Sequence, residues 1–237
     1  MQIRKTSNLI SKVLSPAVQF WLRSQVDQVE TLQIQIQGSN RQILGGYIPG
    51  VVLSSCRAVY QGLHLGEVQL TGENIRINIG QVLKGKPLQL LEAIRVSGEV
   101  QLTEKDLQKS LSSTLLGDGL QELLVILLEY QGIANPNHIL ERYQISWQET
   151  SFAESSFTLH GTLTKDEATF PLIIKANLSI IPPQTLQLSE IQITGIPELS
   201  SNLVEDLEVD LGEDVAVDTF SLETDKIVFK GELLVRP

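Results

Sequence analysis

From Thr31 the chain alternates: Leu32, Ile34 and Ile36 are aliphatic, while Gln33, Gln35 and Gln37 are amides. A period of two puts successive side chains on opposite faces of a strand, so this stretch has one oily face and one wet face. The segment Gly45-Gly46-Tyr47-Ile48-Pro49-Gly50 reads as turn chemistry that breaks the strand. Alternation resumes in Leu63 and Leu65, Val68 and Leu70, then Ile75, Ile77 and Ile79, and again after Pro87 in Ile94, Val96, Val100 and Leu102. It returns in Ile145 and Trp147 and in Phe157, Leu159 and Leu163. The run from Phe170 to Ile180 is apolar at every second position until Pro182-Pro183 stops it. Val215 and Val217, Phe220 and Leu222, then Ile227 and Phe229 read as a final hairpin. Strands this closely spaced, with no helix of crossover length between them, predict an antiparallel meander.

Three stretches break the period of two. Residues 6–26 carry Leu9, Ile10, Val13, Leu14, Val18, Trp21, Leu22 and Val26 at helical spacing, with Ser15-Pro16 as a cap followed by proline. Thr103-Glu104-Lys105-Asp106 is a capping box with Asp in place of Glu, and Leu107, Leu111, Leu115 and Leu116 follow on one side. Gly117-Asp118-Gly119 reads as a helix-breaking turn before the oily stretch Leu120–Leu128. A third amphipathic stretch covers roughly residues 199–207. The expected fold class is therefore α+β, a long curved antiparallel sheet wrapped around a few helices. Residues 63–72 and 186–195 agree at six of ten positions, which suggests two similar strand-helix halves, about 27–131 and 138–237, inside one domain.

Composition narrows the function. Aromatic residues are 5% of the chain, so Leu, Ile and Val must fill its core. The net charge of -10 argues against nucleic-acid partners, which need clustered Lys and Arg. Residues 1–26 nevertheless hold Arg4, Lys5, Lys12 and Arg23 and no acid. Cys56 is the single cysteine, so there is no disulfide framework and no CxxC metal spacing. The N-terminal apolar residues are interrupted by Asn8, Ser11 and Lys12, unlike an export signal, and Leu120–Leu128 is far short of a membrane span. The expected location is cytoplasmic, or peripheral on the cytoplasmic side of a membrane.

His64, His138 and His160 lie in separate segments without metal-ligand partners, and no nucleophile, phosphate-loop or dinucleotide motif is present. No metal, cofactor or catalytic residue is expected. An oily sheet face must be covered by helices or enclose something. If coverage is incomplete, the remaining groove is aliphatic and suits acyl chains better than polar metabolites. Leu116, Leu120, Leu123, Leu124, Leu127, Leu128, Ile174 and Leu178 are the candidates for lining it, and Arg4, Lys5, Lys12, Phe20, Trp21 and Arg23 for touching a membrane surface. The alternative is a structural or protein-interaction module with a fully packed core and no lipid. In either case an unblunted sheet edge could join copies into a homo-oligomer.

A set of local sequences adds a resemblance. Leu14-Ser15-Pro16-Ala17 with Trp21-Leu22-Arg23, Gly46-Tyr47-Ile48-Pro49-Gly50, Arg57-Ala58-Val59-Tyr60-Gln61-Gly62-Leu63, and Leu70-Thr71-Gly72-Glu73-Asn74-Ile75 leading to Val82-Leu83-Lys84-Gly85-Lys86-Pro87-Leu88 carry it. Together these resemble the cyanobacterial branch of the LmeA-type phospholipid-binding family, formerly a domain of unknown function. The resemblance implies a sheet curved around helices in the style of tubular lipid-binding proteins, phospholipid as ligand, and no catalytic residues. The interrupted N-terminal apolar stretch departs from the export signals of the secreted mycobacterial members, so the resemblance does not extend to a cell-wall role and leaves lipid binding open.

Overall fold

The structure is a computed structural model that describes residues 14–197 and 206–237. Its elements in order are α1 (Ser15–Ser24), β1 (Gln28–Gln37), α2 (Asn40–Leu44), β2 (Tyr47–Tyr60), β3 (Leu63–Arg76), α3 (Ile79–Val82), β4 (Ile94–Thr103), α4 (Glu104–Ser110) and α5 (Thr114–Tyr130). Then come α6 (Pro136–Leu140), β5 (Gln144–Ala153), β6 (Ser156–Lys165), β7 (Ala168–Ile181), β8 (Thr185–Thr194), β9 (Leu207–Asp210), β10 (Val215–Leu222) and β11 (Lys226–Val235).

The α+β class and the antiparallel pairing agree with the sequence pattern. Among the described residues the strands make two sheets, ordered β1-β2-β3-β4-β11-β10 and β5-β6-β7-β8-β9. The C-terminal hairpin returns to pair β11 with β4, so the six-stranded sheet draws on both ends of the chain. The echoed segments fall on β3 and β8, one in each sheet.

The five-stranded sheet is covered by α5. Leu120, Leu124, Leu127 and Leu128 recur at helical spacing and are buried. They pack with Leu159 and Leu163 of β6, Leu172 and Ile174 of β7, and Leu188, Ile191 and Ile193 of β8. Gly117-Asp118-Gly119 does not form the expected turn but lies inside α5. Each glycine costs a helix about 1 kcal/mol, whereas burying each leucine contributes roughly 1.5–3 kcal/mol, so packing decides the outcome.

α4 begins at the Thr103–Asp106 capping box anticipated from the sequence. Its side chains then meet the backbone of β5. Gln108 Oε1 accepts from Thr150 N at 3.0 Å, Glu104 Oε2 accepts from Phe152 N at 3.2 Å, and Gln108 Nε2 donates to the Gln148 carbonyl. These bonds occupy groups that an unprotected edge strand would offer to another chain. A small aromatic cluster, Phe152 and Phe157 with Phe220 and Phe229, surrounds Leu222 and Ile227 where the two sheets meet.

Two boundaries moved for local reasons. A short helix, α2, which the period did not predict, precedes the expected turn because Ser39 and Gln42 form a reciprocal capping box, and Gly45-Gly46 form the turn itself. Ile48-Pro49-Gly50 belongs to β2 and does not break it, since Pro49 lies beyond the last β1 pair and at a skipped rung of the β2–β3 ladder, where a missing N–H is tolerated. α1 starts at Ser15 itself, with Pro16 in its first turn. The helical stretch at 199–207 lies outside the described residues except for Asp206 and Leu207, and Leu207 opens β9.

Leu124 is fully buried, so Leu124→Glu should abolish cooperative folding in thermal melts, because an unpaired buried carboxylate costs several kcal/mol. Leu124→Ala should lower stability by about 2–5 kcal/mol in urea titrations. A variant Leu124→Glu that melts like the parent would show that α5 is not a core helix.

Candidate functional site

The oily face of the six-stranded sheet has less to cover it. α1, at 10 residues, presents Val18, Trp21 and Leu22 to that face, followed by Gln25 just past its end, with positions three and four apart. Among the described residues, what α1 leaves uncovered is a groove of about 1170 Å³.

Its floor can be read off the strand register as three rows. One row runs Leu32, Ser55, Val68, Val100, Phe229 from β1 to β11. The next runs Leu53, Leu70, Gly98, Gly231, Val217 from β2 to β10. The third runs Val51, Gly72, Val96, Leu233, Val215. Neighbouring strands lie about 4.8 Å apart, so each five-strand row spans roughly 19 Å. In these fifteen positions the only hydroxyl is that of Ser55.

Two features give this face its shape. The ladder skips a rung at Arg57 and another at Asn74, residues with φ of 51° and 56°. At each, the lining residues change parity. Val51, Leu53 and Ser55 give way to Ala58 and Tyr60, and Val68, Leu70 and Gly72 to Ile75 and Ile77. Such irregularities bend a strand and re-aim its side chains. The second feature is the directly paired glycines Gly98 and Gly231. A Cβ on Gly98 would run into the Gln69 carbonyl and Leu70, and one on Gly231 into the Ala216 carbonyl. Glycine at such points permits close approach of backbones and leaves the middle of the floor without side chains.

One end of the groove is closed by a cluster of Leu14, Val18, Ile43, Ile48, Ile75, Ile77, Ile79 and Val82. Charge sits on the rim and the outer face, in pairs. Arg236 binds Asp214 through two nitrogens at 2.6 and 3.3 Å, and this carboxylate raises the guanidinium pKa further above its ordinary value. Lys230 lies 2.9 Å from Glu99. The hydrogen bond from Lys230, helped by one from Gln101, holds the Glu99 carboxyl below the ordinary carboxylate range. Arg95 meets Glu232 at 3.6 Å. No group of His, Cys, Asp and Glu suited to a metal occurs among the described residues.

The residues named from the sequence fall elsewhere. Leu120, Leu124, Leu127, Leu128 and Ile174 belong to the packed core between α5 and the five-stranded sheet, with Leu116, Leu123 and Leu178 packed against it. None of the eight lines the groove. Trp21 faces the groove, while Phe20 is 73% exposed and Arg23 is exposed on the same helix. Arg4, Lys5 and Lys12 lie outside the described residues. The strand positions that do line the groove carried a signal in the sequence: glycines 72, 98 and 231 interrupt apolar phases of otherwise regular strands.

The LmeA-like phospholipid-binding family model matches residues 5–232, nearly the whole chain. The chain belongs to this family. No curated protein and no solved structure matches it significantly. Phospholipid binding is therefore the family property against which the LmeA-like groove has to be judged, and an aliphatic channel without metal ligands is compatible with it.

Among the described residues no single helix is long and apolar enough to cross a membrane. α4 and α5 together have the length and composition, but they are bent by 89° and the leucine stripe of α5 is buried in the core.

Gly98→Ala should destabilise this LmeA-like chain by about 1–3 kcal/mol in denaturant titrations, since the added methyl meets backbone on β3. An unchanged midpoint would mean that the β3–β4 contact is looser than described.

Proposed function

We propose that the protein is a non-enzymatic phospholipid-binding protein that holds acyl chains against the six-stranded sheet and acts at a membrane surface. The observation that carries this reading is the groove itself: about 1170 Å³, open, and floored by fifteen positions of which fourteen are aliphatic, aromatic or glycine. Small-molecule pockets are typically roughly 300–1000 Å³ and carry a few convergent polar groups. This groove is larger and lacks such groups along its floor. Membership of a phospholipid-binding family supports the same ligand class.

The energetics suit exchange with a bilayer. Each methylene moved out of water contributes about 0.8 kcal/mol, so an acyl chain gains on the order of 10 kcal/mol by entering the groove from water. It gains about the same by entering a bilayer, so groove and bilayer compete on nearly equal terms. A lipid can therefore move between them if the protein reaches the membrane surface.

Leu53→Asp combined with Leu70→Asp places two carboxylates on facing rungs of the half-exposed floor, where water can still reach them. The variant should fold, judged by circular dichroism and a cooperative melt. Native mass spectrometry should show the parent carrying phospholipid and the variant carrying at least tenfold less. Equal lipid content in the two folded proteins, or none in the parent after purification from lipid-rich extract, would count against the groove.

A further inference from the structure

We propose that one end of the groove, built by α2, α3 and the loop at residues 83–87, docks on an anionic bilayer surface. This rests on the groove being a lipid site, and it assigns the end of the molecule that meets the membrane. The segments 38–50 and 76–91 meet here: Ile77 N donates to the Gly46 carbonyl at 2.9 Å, and α2 touches α3. Together they hold Arg41, Arg76, Lys84 and Lys86 and no Asp or Glu, in a chain whose net charge is -10. The nearest acids along the chain are Glu73 and Glu92.

The cations here differ from the others on this sheet. Arg57, Arg95, Lys226, Lys230 and Arg236 are each paired with a carboxylate. Among the described residues no ion pair involves Arg41, Lys84 or Lys86, all of which are exposed, and Arg76 stacks 4.8 Å from the Tyr47 ring. Apolar side chains stand among these charges: Leu44 is 48% exposed, Leu83 51% and Leu91 57%. Exposed leucines ringed by unpaired bases are what an anionic lipid interface accommodates, with the bases at the headgroups and the leucines below them.

The loop is also held in shape. Asn78 Nδ2 donates to the Pro87 carbonyl at 3.0 Å, and its Oδ1 accepts from Gln89 N at 2.8 Å, fixing the base of the 79–88 excursion that presents Leu83. Behind it, the buried Ile77, Leu88 and Leu90 line the groove, so the docking face backs directly onto the site.

The test is flotation of the full-length protein with vesicles of phosphatidylcholine alone or mixed with phosphatidylglycerol. The parent should float with the mixed vesicles and lose this at high salt. Arg41→Glu with Lys84→Glu and Lys86→Glu should weaken partitioning by on the order of 100-fold, and Leu83→Ser should weaken it with all charges intact. Both variants should keep their bound phospholipid. Flotation of the triple variant equal to the parent would overturn the proposal. So would loss of flotation only in Phe20→Ser with Arg23→Glu, which would move the contact to α1. A parent that carries no lipid yet floats through Arg41, Lys84 and Lys86 would remove the groove reading and leave the docking face standing.

Discussion

Every half-buried strand must hide one side of itself from water, and in this chain the described helices can do that fully for one of two sheets. α5 is the longest described helix at 17 residues, and its leucine stripe is consumed by the five-stranded sheet. The six-stranded sheet is left with α1, with the short α2 and α3 at one end and with α4 at the other, and the middle of its oily face stays open among the described residues. At about 25 cal/mol per Å² of exposed apolar surface, an open aliphatic floor is unfavourable in water. A protein that keeps one has a ligand or a surface to put there. The groove follows from this shortage of helical cover, and the proposed ligand class and docking end are readings of it.

Curvature turns a flat oily face into a channel. The skipped rungs at Arg57 and Asn74 and the paired Gly98 and Gly231 sit on the four central strands, and each bends or deepens the sheet. Rim charges are satisfied locally, as in the Arg236–Asp214 and Lys230–Glu99 pairs, so they add little net attraction along the flanks. Arg41, Lys84 and Lys86, which make no ion pair among the described residues, lie together at the α2–α3 end. Charge and hydrophobicity are thus arranged along the channel axis, with an apolar interior behind a basic, leucine-bearing tip.

Much of the fold was legible in the sequence because alternation is a strong signal. The strands around Leu32–Ile36, Ile94–Leu102 and Phe170–Ile180, the Thr103–Asp106 cap and the final hairpin all appear where the pattern places them. The site was legible only as a question of coverage. Leu120–Leu128 stood out as the oiliest segment, and oiliness alone pointed to it as a lipid contact. A fully apolar helix is more simply a core helix, and that is where Leu124, Leu127 and Leu128 lie. Which sheet received α5 depends on the return of β10 and β11 to β4, a pairing across more than 120 residues that no local pattern encodes. Phe20 and Trp21 show the same limit: neighbours in sequence, one is solvent-exposed and the other lines the groove.

The central claim is that acyl chains lie on the six-stranded sheet. Photo-crosslinking with a phospholipid carrying a diazirine on its acyl chain, followed by peptide mapping, tests it directly. The account predicts adducts on β2, β3, β4 and β11 and on the Val18–Leu22 face of α1, suppressed by excess unlabelled phospholipid. Adducts concentrated on α5 and β7, or adducts insensitive to that competitor, would contradict it.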